Sequence, residues 1–201
     1  MKVGRDPAAD IGRARAVRKA IGPDAELFVD ANGAYDRKQA LALAQGYDEV
    51  GVSWFEEPVS SDDLDGLRLI RDRAPAGMAI AAGEYGFEPG YFRRMLDAGA
   101  VDVLQADVTR GGGITGLQAV SGLCTAYQVP FSAHCAPQIH AHAGCAVGRL
   151  RHCEYFHTHA RVEEMLFDGV LRPRDGALRP DGGRPGLGIE LKRADVNRFL
   201  L

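Results

Sequence analysis

The stretch VSWFEEPVSSDDLDGLRLIRDRAPAGMAIAAGE, residues 52–84, contains the alternation of elements that decides the fold. A short apolar run at 52–55 is typical of a buried strand, and it ends in the acidic pair Glu56-Glu57. Apolar residues then recur at helical spacing over 62–73, and a second apolar run at 78–82 ends in Gly83-Glu84. The stretch therefore predicts a strand, a helix and a second strand, which is the repeating unit of a parallel sheet.

The same unit recurs on both sides of this stretch. Upstream, Asp6-Pro7 predicts a helix start with a capping carboxylate, and an apolar run at 27–29 ends at Asp30. The full prediction has helices over 6–21, 36–44, 62–73, 89–98, 114–127 and 138–150, and strands over 27–29, 52–55, 78–82, 101–106 and 129–133, with a last short run ending at residue 154. Because short apolar runs alternate with amphipathic helices, the fold class is α/β, with helices covering a parallel sheet.

Each predicted strand ends in a residue whose side chain can take part in catalysis. In chain order these are Lys2, Asp30, Glu56, Glu84, Asp107, His134 and Glu154, spaced 20 to 28 residues apart. A doubly wound sheet would gather its site at one switch point. A (β/α)₈ barrel instead gathers catalytic residues from the carboxyl ends of many strands. Seven consecutive strand ends therefore favour a TIM-type barrel.

The predicted barrel is one strand short of eight. A complete barrel takes about 250 residues, whereas this chain has 201, so we expect the first strand to lie upstream of Met1. The stretch 172–188 is rich in Gly, Pro, Arg and Asp, which predicts a loop, and 195–201 predicts a short terminal helix. We therefore divide the chain into a partial barrel over 1–159 and a C-terminal segment over 160–201.

Composition and charge exclude several classes of protein. The chain is 46% hydrophobic and 25% charged, as in soluble globular domains. Its net charge of −3 predicts no basic surface for nucleic acid, and its apolar runs are too short to span a membrane. The four cysteines form no CxxC pair, and the absence of a signal peptide predicts reduced thiols in a cytoplasmic protein. A zinc site is disfavoured because no pair of Cys or His residues has metal-ligand spacing.

Three acidic residues at successive strand ends, Asp30, Glu56 and Glu84, predict a metal site. Carboxylates that share a cavity repel one another unless a cation lies between them, and ligands that are all oxygen favour a hard ion such as Mg²⁺. The alternative for any one of these acids is a solvated loop residue or a helix cap. Glu57 competes with Glu56, but strand alternation gives only one of the two an inward side chain.

The next strand ends, Asp107 and His134, predict a catalytic dyad, because a carboxylate bonded to an imidazole fixes its tautomer and raises its basicity. The alternative for His134 is a structural histidine. Glu154 is either a protonated donor to an oxyanion or an acid at the rim. Lys2 is either a base, with a pKa lowered by a nearby metal, or a disordered terminal lysine. His140 and His142 are interpreted as structural or surface residues.

The ordered motifs VDAN (29–32), WFEEP (54–58), AAGE (81–84), QADVTRGGGITG (105–116) and SAHCAP (132–137), followed by Glu154, resemble the enolase superfamily and more narrowly its mandelate racemase subgroup. The resemblance implies metal ligands at Asp30, Glu56 and Glu84, an Asp107–His134 dyad, and donation from Glu154 to the substrate carboxylate. It also matches Lys2 to the second lysine of a Lys-x-Lys motif and Asn32 to a polar residue near the metal. The first lysine, the first barrel strand and an N-terminal α+β capping domain have no counterpart in this sequence.

The resemblance further implies Mg²⁺-dependent removal of the proton next to a carboxylate. The expected reaction is dehydration of an acid sugar to a 2-keto-3-deoxy acid, with Glu57 and Asn32 near the substrate or the ligands. The expected partners are a small carboxylate substrate and further copies of the chain in a homo-oligomer. Two alternatives stay open: a racemase or epimerase of 2-hydroxy acids, and a truncated, catalytically inactive fragment.

Overall fold

The computed structural model describes residues 1–199. Its centre is a sheet of six parallel strands in the order β1-β2-β3-β4-β5-β6. The strands are β1 Leu27–Asp30, β2 Val52–Glu56, β3 Ala79–Ala82, β4 Val103–Ala106, β5 Phe131–Ala133 and β6 Leu150–Cys153. Because neighbours in the chain are also parallel neighbours in the sheet, each connection must cross back over a face of the sheet, as the alternating pattern predicted.

Helices make these crossovers and continue into the C-terminal segment. They are α1 Pro7–Ile21, α2 Arg37–Asp48, α3 Leu64–Arg73, α4 Pro89–Asp97, α5 Gly113–Tyr127, α6 Pro137–Ala143, α7 His157–Leu166 and α8 Arg193–Val196. Asp36 caps α2 by accepting from the backbone N–H of Gln39 at 2.8 Å. α1 begins at Pro7 as predicted, but the side chain of Asp6 makes no capping hydrogen bond.

The sheet curls so far that its two edge strands approach each other. The rings of Phe28 on β1 and His152 on β6 have centroids 5.4 Å apart, and Trp54 on β2 contacts both at 5.1 and 4.9 Å. Lys2 adds a single parallel bridge to Asp30 outside β1, so the seventh predicted strand is only a bridge. The six strands form a curled half-barrel, which confirms the predicted incomplete TIM-type barrel.

Most of the core lies between the convex face of the sheet and the helices. Phe55 of β2 points outward, where it packs edge-on against Tyr47 of α2 with centroids 5.3 Å apart. Its neighbour Trp54 points into the curl and forms a small inner cluster with Ala81 and Val103. Because of this alternation, a few large inward side chains fill the inside of the half-barrel below the site. Polar residues occupy the carboxyl ends of the strands.

The chain departs from the prediction after β5. The helix predicted over 138–150 is too long: α6 ends at Ala143, a 3₁₀ turn follows over Gly144–Ala146, and Leu150 already begins β6. Gly144 and Gly148 interrupt the helical pattern, because glycine is a poor helix former.

The C-terminal segment is held by a small two-stranded antiparallel sheet, in which β7 Phe167–Asp168 pairs with β8 Glu190–Leu191. No helix or strand lies in 172–188, as predicted. The predicted division at 159/160 falls inside α7 and stays a prediction. Of the predicted terminal helix, α8 and a 3₁₀ turn over Asn197–Phe199 are present, and residues 200 and 201 lie outside the described residues. None of the helices in residues 1–199 combines the length and apolarity that crossing a bilayer requires.

Candidate active site

Three carboxylates converge at the open end of the half-barrel. Asp30 ends β1, Glu56 ends β2 and Glu84 follows β3 after one residue, and one oxygen of each lies within 4.8 Å of the others. Gly83 makes the last of these positions possible. It has a φ of 137°, and a Cβ there would lie 2.0 Å from the carbonyl oxygen of Gln105, so the backbone turns Glu84 inward only because the residue is glycine.

The three carboxylates are buried and crowded. Burial, followed by repulsion from Asp30 and Glu154, raises the pKa of Glu56 to about 9. Its Oε2 accepts from the indole N–H of Trp54 at 3.0 Å, while its Oε1 is buried without a hydrogen-bond partner among the described residues. Buried carboxylates that lie this close repel one another, and a positive charge between them stabilises their ionised forms.

This donor set fits a hard divalent cation. All the donors are carboxylate oxygens, each residue has less than a tenth of its surface exposed, and Oε1 of Glu56 and Oε2 of Glu84 have lone pairs that no hydrogen-bond donor in residues 1–199 satisfies. Hard cations such as Mg²⁺ prefer oxygen ligands of this type. The geometry therefore brings together the three residues that the sequence predicts as metal ligands.

The predicted dyad is formed between the ends of β4 and β5. Nδ1 of His134 donates to Oδ2 of Asp107 at 2.8 Å. The other oxygen of Asp107 accepts from the backbone N–H and the hydroxyl of Thr109, both at 2.7 Å. Burial opposes the charge on Asp107, but the hydrogen bonds from His134 and Thr109 outweigh it and lower the pKa of Asp107 to about 2.

His134 connects the dyad to the carboxylate group. Its Nε2 lies 3.1 Å from Oε2 of Glu84 and 3.3 Å from Sγ of Cys135. Burial works against protonation, but the contacts to Asp107, Cys135 and Glu84 outweigh it and raise the pKa of His134 to about 12. The imidazole bridges two carboxylates, and this arrangement favours its protonated form, which is the form that can donate a proton.

Glu154 follows β6 and faces the same space. Its Oε2 accepts from the backbone N–H of Cys135 at 3.1 Å and lies 3.9 Å from Nε2 of His134. Burial is the main cause that raises the pKa of Glu154. A carboxyl group in this environment takes up a proton more readily than a solvated one, and the role of Glu154 as a hydrogen-bond donor stays a prediction.

Lys2 lies at the opposite side of the site. Its Nζ pairs with Oδ2 of Asp30 and lies 5.9 Å from the ring centroid of Phe156. Burial lowers the pKa of Lys2, but the hydrogen bond and the charge of Asp30 outweigh it, and the net shift is upward. The upward shift follows because the nearest charges to Lys2 are carboxylates, and the lowered pKa expected beside a metal stays a prediction.

Glu57 and Asn32 lie just beyond their strands and behave differently from each other. Glu57 has a φ of 41° and is 1% exposed, with both carboxylate oxygens buried and unpartnered among the described residues. Glu56 and Glu57 are therefore both buried, because the strand ends at Glu56 and alternation no longer applies. Burial, with repulsion from Glu84, raises the pKa of Glu57 to about 8. Asn32 is exposed, and its backbone N–H donates to Oδ1 of Asp30 at 2.7 Å.

Two polar residues that the sequence reasoning missed also reach the site. Arg110 donates to the carbonyl oxygen of Glu84 at 3.0 Å, and its guanidinium lies 3.6 Å from Oε1 of Glu84 and 3.7 Å from Oδ2 of Asp107. Its position three residues after a strand-end aspartate was the available signal. Gln105 is fully buried on β4. An inward position two residues before Asp107 follows from strand alternation.

A cavity of about 330 Å³ opens beside the carboxylates. Its walls include Lys2, Asp30, Trp54, Glu56, Glu154 and Phe156. This volume lies in the range of sites for small molecules, and the mixture of aromatic walls with a few charged groups is typical of such sites.

His140 is structural, as interpreted from the sequence. It is 1% exposed, its Nδ1 donates to the carbonyl oxygen of Cys135 at 2.7 Å, and its Nε2 accepts from the backbone N–H of Val108 at 3.1 Å. It therefore ties the turn after β4 to the turn after β5 and holds the two halves of the dyad at a fixed separation.

Comparison with known proteins identifies the relatives of this chain. The enolase C-terminal domain-like family matches residues 1–196. The D-galactarolactone cycloisomerase of Agrobacterium fabrum is 32% identical over 99% of this chain and 55% of its own length. The L-rhamnonate dehydratase of Saccharopolyspora erythraea is 32% identical over 91% of this chain and 48% of its own length. The chain thus spans about half the length of the curated relatives that it matches.

Solved structures agree with this relationship. A mandelate racemase/muconate lactonizing enzyme-like protein from Rubrobacter xylanophilus is 60% identical, with a TM-score of 0.95, over 98% of this chain and 55% of its own. An enolase from Bradyrhizobium, complexed with magnesium and mandelic acid, is 29% identical with a TM-score of 0.88 over 98% of this chain and 53% of its own. The chain belongs to the enolase C-terminal domain-like family, within the mandelate racemase branch of the enolase superfamily.

Proposed function

We propose that this chain carries the catalytic centre for Mg²⁺-dependent removal of the proton next to a carboxylate, and that its reaction is the dehydration of an acid sugar to a 2-keto-3-deoxy acid. The observation that carries the proposal is the convergence of Asp30, Glu56 and Glu84 within 4.8 Å, next to the hydrogen-bonded pair of Asp107 and His134. The dehydratase among the relatives and the magnesium-bound neighbour support both parts.

Asp30, Glu56 and Glu84 would hold the cation, and their burial keeps competing water away from its ligands. A divalent cation bound there would neutralise the negative charge that develops on the substrate carboxylate when the proton on the adjacent carbon is removed. The residues themselves select the cation, since three buried oxygen donors suit a hard ion.

His134 has the environment of a general acid. It lies between Asp107 and Glu84, and both carboxylates stabilise its protonated form. A protonated imidazole can donate to a departing hydroxyl group, which is the step that separates dehydration from simple proton exchange. For His134 to take the first proton, the charge of Glu84 must be compensated, because this lowers the pKa of the imidazole towards neutrality.

Racemisation of a 2-hydroxy acid is the second candidate, and the position of Lys2 favours it. Lys2 lies at the β1 edge of the cavity, whereas His134 follows β5, so the two could act on opposite faces of a substrate. A racemase needs a proton donor on each face. A dehydratase needs only one group that removes the proton and one that releases the hydroxyl.

The metal part is tested by thermal melting with and without MgCl₂. A ligand that binds only the folded state at 100 times its Kd stabilises that state by about 2.7 kcal/mol. We expect Mg²⁺ to raise the Tm of the wild-type chain and of the control Glu49→Gln, an exposed acid, but not that of Glu84→Gln. A wild-type Tm that changes neither on addition of Mg²⁺ nor on addition of EDTA would contradict the proposed ligands.

The reaction is tested with a panel of aldonates and aldarates in deuterated water. A 2-keto-3-deoxy acid product supports dehydration, and deuterium at the α-carbon with inversion but no keto acid supports racemisation. We expect His134→Asn to lower turnover by about 10²–10⁴-fold, the typical contribution of an acid–base group. The exposed control His157→Asn should keep it. Equal turnover in His134→Asn would remove the dyad from the mechanism.

A further inference from the structure

Three different metal-binding side chains meet beside the carboxylate group. Nε2 of His134 lies 3.3 Å from Sγ of Cys135 and 3.9 Å from Oε2 of Glu154, and the same Sγ lies 3.7 Å from that oxygen. The cluster is therefore a compact triangle of one nitrogen, one sulfur and one oxygen. Its sulfur distinguishes it from the neighbouring triad of Asp30, Glu56 and Glu84, which offers oxygen alone.

The size of this triangle matches a tetrahedral zinc ion. Zinc binds sulfur at about 2.3 Å and nitrogen or carboxylate oxygen at about 2.0–2.2 Å, so tetrahedral angles place pairs of donor atoms about 3.4–3.6 Å apart. The three measured separations run from 3.3 to 3.9 Å. The side chains therefore need only small rotations to bind one ion.

The imidazole is already oriented as in a metal site. Asp107 accepts the Nδ1 proton of His134 at 2.8 Å, which leaves Nε2 as the atom that faces Cys135 and Glu154. Histidine ligands of zinc typically donate their other ring N–H to a carboxylate in this way, which fixes the tautomer and increases the basicity of the ligand.

A buried oxygen points to the same place. Glu84 is 4% exposed, and its Oε2 lies 3.1 Å from Nε2 of His134 without a hydrogen bond of normal geometry among the described residues. This oxygen is available as a further donor between the triad and the triangle. Its position is an observation independent of the cysteine, and it places a carboxylate oxygen next to a cation bound in the triangle.

An entry path leads to the triangle from solvent. His134 and Cys135 form part of the wall of an open depression together with Thr109, Arg110 and Val162. The aromatic cavity with Lys2 and Trp54 lies elsewhere, and Glu154 alone of the three contributes to its wall. An ion can therefore reach Cys135 without passing through the substrate cavity.

We propose that His134, Cys135 and Glu154 form a second metal site, selective for Zn²⁺ over Mg²⁺, and that zinc bound there inhibits the chain. Zinc is the expected occupant because it prefers nitrogen and sulfur donors and a tetrahedral geometry, neither of which suits Mg²⁺. On binding, the ion displaces the Nε2 proton of His134 and the thiol proton of Cys135 into solvent. Nε2 is then bound to the metal and no longer available for proton transfer. The binding itself does not depend on the reaction proposed above.

The test titrates CoCl₂ and then ZnCl₂ into the full chain in excess MgCl₂. Bound cobalt is expected to give the near-ultraviolet charge-transfer band of a thiolate ligand, and zinc to remove it. Loss of a partner that only orients a ligand weakens metal binding by about 10–100-fold, so loss of the thiol in Cys135→Ser should weaken zinc binding by at least about 100-fold and abolish the band. The exposed Cys145→Ser is the matched control and should keep both.

A measurement on the unaltered chain makes the test independent of how the variants fold. The zinc X-ray absorption spectrum in excess Mg²⁺ is expected to contain one sulfur neighbour at about 2.3 Å. A shell of nitrogen and oxygen alone, or a cobalt band that persists in Cys135→Ser, would overturn the proposal. Because neither readout requires turnover, failure of the zinc site and failure of the proposed reaction are distinguishable.

Discussion

The imidazole of His134 lies between the carboxylates of Asp107 and Glu84, at 2.8 and 3.1 Å. Two negative groups on one ring make its protonation part of the energetics of folding. Burial opposes the charge, yet the contacts to Asp107, Cys135 and Glu84 raise the pKa of His134 to about 12. A group whose pKa is raised on folding stabilises the folded state only while the pH is low enough for the folded form to hold the proton.

The resulting pH dependence has a definite sign. His134 loses its proton near pH 6.5 in the unfolded chain, so its stabilisation is fully present below that pH and is lost as the pH rises towards about 12. In EDTA, we expect the free energy of unfolding to fall between pH 7 and pH 9 more steeply in the wild type than in His134→Asn. The difference in slope should be at most about 1.4 kcal/mol per pH unit, the value for one proton.

Denaturant unfolding at several pH values measures both slopes. The raised pKa values of Glu57, about 8, and Glu56, about 9, add slopes of the same sign in both proteins, so the difference between the two proteins reports the imidazole together with its effect on Glu57. Identical slopes would mean that His134 is not held in its charged form. Asp107 contributes in the opposite direction, because its pKa is lowered to about 2, and its stabilisation is lost only as the pH falls from about 4 towards 2.

The sequence predicted which residues converge because strand ends follow a simple rule. In a parallel α/β sheet the carboxyl ends of neighbouring strands lie side by side, so residues separated by one strand-helix unit, such as Asp30 and Glu56, become neighbours. The triangle of His134, Cys135 and Glu154 follows no such rule. Cys135 has a φ of 49°, and this turn brings its thiol back towards His134. Because these side chains meet only through this turn, their spacing along the chain did not predict the cluster.

Among the helices, α1 depends on a buried acid rather than on the predicted cap. Asp10 is fully buried, and its carboxylate accepts from the backbone N–H of Gly4 and the hydroxyl of Tyr35, both at 2.7 Å, and from Arg13 at 2.8 Å. It thus connects α1 to the segment that precedes it and to the turn before α2. Capping statistics favoured Asp6, because a local pattern carries no information about these distant partners.

We therefore expect Asp10→Ala to destabilise the fold by about 3 kcal/mol, since it leaves a buried hydroxyl and a backbone N–H without their charged acceptor. Asp6→Ala is the matched control. Asp6 makes no capping hydrogen bond, so its loss should change the free energy of unfolding by less than about 0.5 kcal/mol. Urea unfolding of the two variants measures both values. A larger loss of stability in Asp6→Ala than in Asp10→Ala would mean that the cap, and not the buried acid, stabilises α1.

At the scale of the whole molecule, side-chain contacts rather than a strand pair join the ends of the sheet. Phe28, Trp54 and His152 bring β1 and β6 together across the inside of the half-barrel, and Arg151 lies 3.7 Å from Glu26. The sheet order nevertheless runs from β1 to β6 without a backbone ladder between them in residues 1–199. The sequence predicted the six strands of this sheet and their direction. The close approach of β1 and β6, however, depends on how far six twisted strands curl, which no local pattern encodes.

The free edge of β6 leads to a prediction about assembly. Unpaired strand edges bind other strands, and Leu150, at the start of β6, is 39% exposed. We therefore expect the chain to form a homo-oligomer that uses this edge. A charge on an edge strand opposes such pairing, so Leu150→Lys should increase the monomer fraction in light scattering after size-exclusion chromatography. Ile21→Lys, at a similarly exposed apolar residue at the end of α1, should leave the assembly unchanged. A monomeric wild-type chain would mean that the contacts of Trp54 and His152 already protect the edge.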